Sequence, residues 1–315
     1  MKSLKINEIH EEGKVCVKAL ITKCDKGRTN KNTPYLSLIL EDQTGTLDAK
    51  FWNLTDEMVA SYRAGMVVDA YGEIIFHKNA MQLRVRKLVE DKGADVLDFV
   101  REAPMSREQM KGAVKQMIDH MEDPVISLVC QEVLERSEEK FFTFPAATRN
   151  HHNFVGGLAF HSISMAKLGY AVCEQYEWLD RDLVIAGILL HDIGKVEELS
   201  SAMLPEYTVV GNLLGHISIA AAMIDEVAAD LDILKDERVV LLKHMVLSHH
   251  GKMEYGSPVL PMLPEAEVVT MLDNLDSRLF MMKQSIDATL PGAFGPRMFA
   301  LDNRMIYRRR KDEEQ

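Results

Sequence analysis

The residues best suited to chemistry are His191-Asp192-Ile193-Gly194-Lys195, which close the apolar run from Val184 to Leu190. A carboxylate has two oxygens and can bridge two cations, so Asp192 is the expected bridge. Gly194 is expected to relax the backbone there. Lys195 adds a compact positive charge suited to a phosphate, a surface salt bridge being its plainer role. His161, His216 and the pair His249-His250 offer imidazoles from three further segments of helical spacing, and Asp273 offers a second carboxylate from a fourth. A lone histidine on an apolar face is usually a hydrogen-bonded core residue, whereas a group of them with interspersed aspartates favours metal. Imidazole with carboxylate and no thiolate suits Mn2+ first, with Fe2+, Co2+ and Mg2+ as alternatives. Asp276, three residues after Asp273, shares its helix face and either orients a ligand or meets solvent. His151 and His152 either border the cleft or contact phosphate or, by the preferred reading, are structural, and they stay outside the ligand set.

Such a set points to phosphoester hydrolysis, because divalent ions held there lower the pKa of bound water and polarise a phosphoryl oxygen. Lys195 would then stabilise transition-state charge without titrating. Glu254 and Tyr255, in the loop after the paired histidines, either position a terminal nucleotide or serve the turn around Gly256-Ser257-Pro258.

Two kinds of element must position these groups. From Gly13 to about Glu90 apolar residues alternate, in runs through Val15 to Ile21, Leu36 to Leu40, Leu47 to Phe51, Met66 to Phe76 and Met81 to Val89. Five strands, with a turn at Asp42-Gln43-Thr44-Gly45 and a short helix near Leu54 to Tyr62, fit a five-stranded oligonucleotide-binding barrel, the OB-fold. If the alternating residues line the barrel, Tyr35, Lys50, Trp52, Gln82, Arg84 and Arg86 face outward, where aromatics and cations can stack bases and follow a backbone. Trp52 taken alone reads equally well as an interface aromatic.

Beyond Gly93 the spacing becomes helical. Segments are expected at 106–121, 124–136, 158–175, 182–190, 216–229, 236–249 and 264–284, an all-α bundle. Pro291 to Pro296 breaks the pattern before an irregular tail, whose charged ending, residues 308–315, is expected to fray in solvent.

The net charge is −11, which argues against indiscriminate nucleic-acid binding. It is uneven: residues 1–90 carry 14 Lys and Arg against 12 Asp and Glu, or +2, and residues 91–315 carry 23 against 36, or −13. Cys16, Cys24, Cys130 and Cys173 form no Cys-x-x-Cys pair and read as small buried hydrophobes. No window has the length and apolarity of a membrane span, and the first ten residues lack a signal's apolar centre, which suggests a cytoplasmic protein with no membrane partner.

Histidine, then His-Asp, then a distant aspartate resembles the HD-domain metal-dependent phosphohydrolases. Further segments, Gly156-Gly157-Leu158-Ala159-Phe160-His161, Leu214-Gly215-His216, Ser248-His249-His250-Gly251-Lys252-Met253-Glu254-Tyr255-Gly256-Ser257-Pro258 and Asp273-Asn274-Leu275-Asp276, together with Arg149-Asn150-His151-His152, resemble those of the YhaM-type 3′→5′ exoribonucleases, which also carry an N-terminal OB-fold. The resemblance implies one metal held by His161, His191, Asp192 and Asp273, and a second held by Asp192, His216 and His249 or His250. It further implies an OB-fold domain over 1–90, a helical linker region over 91–150, an HD domain over 151–290 and a C-terminal extension over 291–315. The implied activity is release of nucleoside monophosphates from the 3′ end of single-stranded RNA, with single-stranded DNA also admitted, by a ring-like homo-oligomer.

Besides a di-iron oxygenase, against which Lys195 and the OB-fold argue, two alternatives stay open. One is an HD phosphodiesterase or nucleotidase acting on small nucleotides, although the cyclic-dinucleotide subfamily continues its paired histidines into Gly-Tyr-Pro, unlike Tyr255-Gly256-Ser257-Pro258. The other is a non-catalytic nucleic-acid-binding protein, against which the intact ligand set argues.

Overall fold

The computed structural model describes residues 3–77, 80–148 and 152–310; His151 and the residues after Arg310 lie outside them. By contact density the chain divides into two compact units, Met1–Glu102 with Met282–Gln315, and Ala103–Met281.

In the first unit, strands β1 (Gly13–Arg28), β2 (Pro34–Asp42) and β3 (Gly45–Phe51), helix α1 (Asp56–Ser61), and strands β4 (Val67–His77) and β5 (Ala80–Glu90) build a closed barrel. Its strand order is β1-β2-β3-β5-β4, with β3 and β5 parallel and the other neighbours antiparallel. The alternating residues point inward as expected: Val17, Ala19, Ile21, Leu36, Leu38, Ala49 and Leu83 are fully buried. Asp42 shapes the β2–β3 turn. Its Oδ1 accepts from the backbone N–H groups of Thr44 and Gly45 and from the Thr44 hydroxyl, while Oδ2 accepts from Ile6 N. The Thr55 hydroxyl caps α1 by accepting from Met58 N.

In the second unit, helices α2 (Arg107–Asp119), α3 (Pro124–Arg136), α4 (Glu138–Phe141), α5 (Gly157–Gln175), α6 (Arg181–Leu190), α7 (Lys195–Glu198), α8 (Val209–Asp230) and α9 (Glu237–Ser248) are followed by α10 (Pro264–Asp287), whose last turn belongs to the first unit. Side-chain caps set the helix starts: Ser106 for α2, Asp123 for α3, Asp180 for α6, Thr208 for α8 and Asp236 for α9. Helix α6 is buried on every side, as its unbroken apolar run requires. It packs against α3, α5 and α9 around Val129, Ile163, Leu189 and Leu242.

The expected helix from His216 is present as the part of α8 that follows the break at Gly215 (φ 70°, ψ 153°); the element opens earlier, at Val209, in a segment too short for periodicity to reveal. The short α4 and α7 escape periodicity altogether. The tail after Pro291 is not irregular: β6 (Phe294–Met298) and β7 (Arg304–Tyr307) form an antiparallel pair, too short and too polar to alternate visibly. Among the described residues no helix is long and apolar enough to cross a membrane.

Candidate metal centre

Five histidines and three aspartates converge from α5, α8 and α10 and from the C-terminal ends of α6 and α9. Each of His191, His249 and His250 fixes its Nδ1 on a backbone carbonyl: Ile188 O at 2.7 Å, Val246 O at 2.7 Å and Tyr255 O at 2.6 Å. A carbonyl only accepts, so Nδ1 holds the proton and, in the neutral ring, Nε2 keeps a lone pair. His161 and His216 set Nδ1 on carboxylates instead, Asp276 Oδ2 at 2.8 Å and Glu198 Oε1 at 3.0 Å. Second partners of this kind orient imidazoles for metal.

Asp192 is buried among them. Its Oδ2 lies 2.6 Å from Lys195 Nζ and 3.2 Å from His191 Nε2; its Oδ1 lies 3.4 Å from His216 Nε2 and 3.8 Å from His249 Nε2. Among the described residues, Asp192 Oδ1 and the Nε2 atoms of His191, His216 and His249 are buried without a hydrogen-bond partner. Four unsatisfied polar atoms facing one another are costly unless something binds them. All four can act as electron-pair donors, and a metal ion fits such a donor set. Among the described residues three sets of donor atoms are each close enough to share an ion: His161 with His191 and Asp273, His216 with His249 and His250, and His152 with His161 and Asp276.

Electrostatics agree. Burial alone would raise the Asp192 carboxyl, but Lys195 and the neighbouring imidazoles hold it well below the usual range. Burial opposes the charge on Lys195 too, and Asp192 overcomes it, keeping the ammonium protonated. Burial beside His191 and His250 pushes His249 well below its ordinary value. His161, although buried, is pushed up to about 9 by Asp273 and Asp276. The carboxylates of Asp273 and Asp276 are correspondingly held low.

Two sequence readings change here. Lys195 is not at the surface but 8 % exposed. Gly194 does not relax the backbone, since its angles are ordinary for a helix (φ −61°, ψ −15°). It permits close approach instead: a Cβ there would collide with the backbone carbonyl of His216. The two open readings of Asp276 resolve to the orienting one, because its Oδ2 also accepts from His152 Nε2 (2.7 Å) and its Oδ1 from the Ser164 hydroxyl (2.7 Å). His152 thus helps to hold Asp276 in place. Glu198 went unrecognised, since a glutamate after Glu197 carries no spacing signal. Glu254 and Tyr255 are exposed, and only the Tyr255 carbonyl reaches a site residue.

A cleft of about 180 Å³ adjoins the centre, and Lys195, Glu198, His216, His250, Leu199 and Tyr207 are among its lining residues.

On the barrel, Tyr35 and Trp52 lie ring to ring, centroids 4.5 Å apart. Lys50 bonds Ser37 and sits beside Arg84 across the parallel β3–β5 pair. Acidic side chains interleave with these cations: Glu73 lies opposite Arg84 and 4.0 Å from Arg86, and Asp48 is opposite Gln82.

Residues 158–278 match the family described as HD domain. The helical unit carries an HD domain. HD domains are metal-dependent phosphohydrolases, so the histidines and aspartates above lie within a hydrolase domain. Residues 15–90 match the OB-fold nucleic acid binding domain, family tRNA_anti-codon. Among solved structures, the second OB-fold domain of replication protein A from Methanococcus maripaludis is similar at 16% identity, covering 30% of this chain and 99% of that one, with a TM-score of 0.25. Asparaginyl-tRNA synthetase from Pyrococcus horikoshii is similar at 15% identity, covering 43% of this chain, with a TM-score of 0.24. The synthetase from Entamoeba histolytica matches at 13% identity over 48% of this chain, with a TM-score of 0.26. This chain spans 35% and 39% of those two synthetases.

Proposed function

We propose that the protein is a 3′→5′ exoribonuclease that releases nucleoside monophosphates from single-stranded RNA by metal-assisted hydrolysis. The observation that carries the reading is the cluster of unsatisfied donor atoms around Asp192, in a chain that also holds an OB barrel. His161, His191, Asp192 and Asp273 would hold one divalent ion, and Asp192, His216 and His249 or His250 a second, with Mn2+ preferred for its tolerance of mixed imidazole and carboxylate donors. When bound, the ions supply a water of lowered pKa and polarise the phosphoryl oxygen.

The chain's own residues do the rest. Glu198 and Asp276 fix the rings of His216 and His161, so that little reorganisation accompanies binding. Lys195 stays protonated and borders the cleft, where its charge offsets that of a phosphate in the transition state. Tyr35 and Trp52 offer stacking surfaces for bases, and Lys50, Arg84 and Arg86 offer charge for the backbone. The preference for RNA and for the 3′ end rests on the sequence resemblance.

A second reading is hydrolysis of small nucleotides, which would use the same centre without needing the barrel. Comparing kcat/KM on a single-stranded 20-mer and on a dinucleotide separates the two. The exoribonuclease reading expects the 20-mer to be preferred and Trp52→Ala to erase that preference while sparing the dinucleotide. Equal rates on both, unaffected by Trp52→Ala, would favour small nucleotides.

A further inference from the structure

We propose that the C-terminal hairpin β6–β7 is a second binding surface for single-stranded RNA, in the same compact unit as the barrel. The inference rests on the proposed substrate class and adds a site to it.

Charge is the first observation. Between residues 288 and 310 the chain carries Arg297, Arg304, Arg308, Arg309 and Arg310 against the single acidic Asp302, an excess bordered by Asp287 before it and by Lys311, Asp312, Glu313 and Glu314 after it, in a protein whose net charge is −11. Such a stretch attracts a polyanion locally within a field that otherwise repels it.

Geometry is the second. Phe294 stands opposite Tyr307 and Arg297 opposite Met305 in the ladder, so these four side chains share one face, and all four are exposed. The Phe294 and Tyr307 rings are 5.1 Å apart. Phe299, in the connection between the strands, is 88 % exposed, the highest value for any large apolar side chain among the described residues. Exposed rings beside guanidinium groups suit bases that stack without being read, with the cations tracking phosphates.

The third observation is that the hairpin is held, not frayed. Thr289 is buried and bridges Ala80 at the start of β5; the Arg308 guanidinium donates to Thr289 O at 2.9 Å. The ladder continues past β7, with Arg308 N bonding Ala293 O and Gly292 N bonding Arg308 O. A rigid platform binds with less ordering cost than a loose tail. A second copy of the hairpin is a poor partner, since a two-fold contact would set arginines against arginines.

The test uses the full chain, freed of metal by EDTA so that RNA stays intact, and fluorescence anisotropy of a labelled single-stranded 20-mer across a salt series. Two variants are compared with wild type: Arg297→Gln with Arg309→Gln and Arg310→Gln, and Phe299→Ala alone. The arginine variant is expected to bind about tenfold more weakly and to show a shallower dependence of log K on log salt, by about 2 for three lost phosphate contacts. Phe299→Ala is expected to bind at least about fivefold more weakly with the slope kept. Manganese-loaded variants should hydrolyse bis(p-nitrophenyl) phosphate like wild type, which shows the metal centre intact. Wild-type affinity and slope in both variants overturn the proposal, as does a changed sedimentation coefficient with unchanged RNA affinity, which would make the hairpin a subunit contact. If wild type itself binds no RNA, the exoribonuclease reading fails first and this inference with it; if wild type degrades RNA while the variants bind normally, only this inference fails.

Discussion

Glu198 holds His216 twice: its Oε1 accepts from the His216 backbone N–H and from Nδ1, both at 3.0 Å. One carboxylate therefore caps the helical segment that restarts after Gly215 and aims its first imidazole at Asp192. Glu198 is itself held low by these bonds against its burial.

Replacing Glu198 with alanine removes the cap and the orientation but no donor atom of the centre. The expected result is a loss of about 10–100-fold in manganese affinity, the usual scale for a partner one shell out from a metal. Activity at saturating manganese should largely recover, whereas His216→Ala should not be rescued. Calorimetric titration with manganese, beside rate measurements across metal concentration, checks the split.

Gly194→Ala should be severe. The added Cβ would meet the His216 carbonyl, which is backbone and cannot swing aside. Overpacking of this sort costs about 1–3 kcal/mol or more and would move His216 from Asp192. Gly112→Ala in α2 is the matched control: nothing lies within 4 Å of its Cβ, and a gain of about 0.5–1 kcal/mol is expected from the helix interior. Urea unfolding of both variants decides.

Much of this was legible in the residues. The barrel was readable because alternation in β1 to β5 repeats the pleat, and the ligand candidates because imidazole and carboxylate are rare inside apolar helices. What spacing hid was the support. Glu198 acts on a residue eighteen positions away, across a loop and the first segment of α8, and Asp276 is joined to His152 and His161 by more than a hundred residues of chain. At Gly194 the sequence does not distinguish a glycine that needs unusual angles from one that needs room. The hairpin after Pro291 was missed because four- and five-residue strands give alternation too little length.

Part of the acid sensitivity should trace to Arg238, which ties two helix caps together. Its Nη2 bonds Asp236 Oδ2 at 2.7 Å and its Nη1 bonds both Asp123 oxygens at 3.2 Å. Bonds from Arg238 lower Asp236 to about 2, and backbone N–H groups with Arg238 hold Asp123 low against its burial. A carboxyl that is lower in the folded chain than its unfolded value of about 3.9 contributes stability above that value, and loses it as the pH falls through the folded pKa. Wild type should thus lose stability between about pH 4 and pH 2. Arg238→Met should be less stable above pH 4 and flatter below it, as read from urea midpoints across that range; parallel profiles would contradict the link.

The most direct measurement is digestion of 5′-labelled single-stranded RNA with manganese by wild type and by Asp192→Ala, with products resolved over time. A ladder shortening from the 3′ end with wild type and none with Asp192→Ala is the expected result. RNA left intact by fully manganese-loaded wild type, or shortened equally by Asp192→Ala, would contradict a metal-assisted exoribonuclease centred on Asp192.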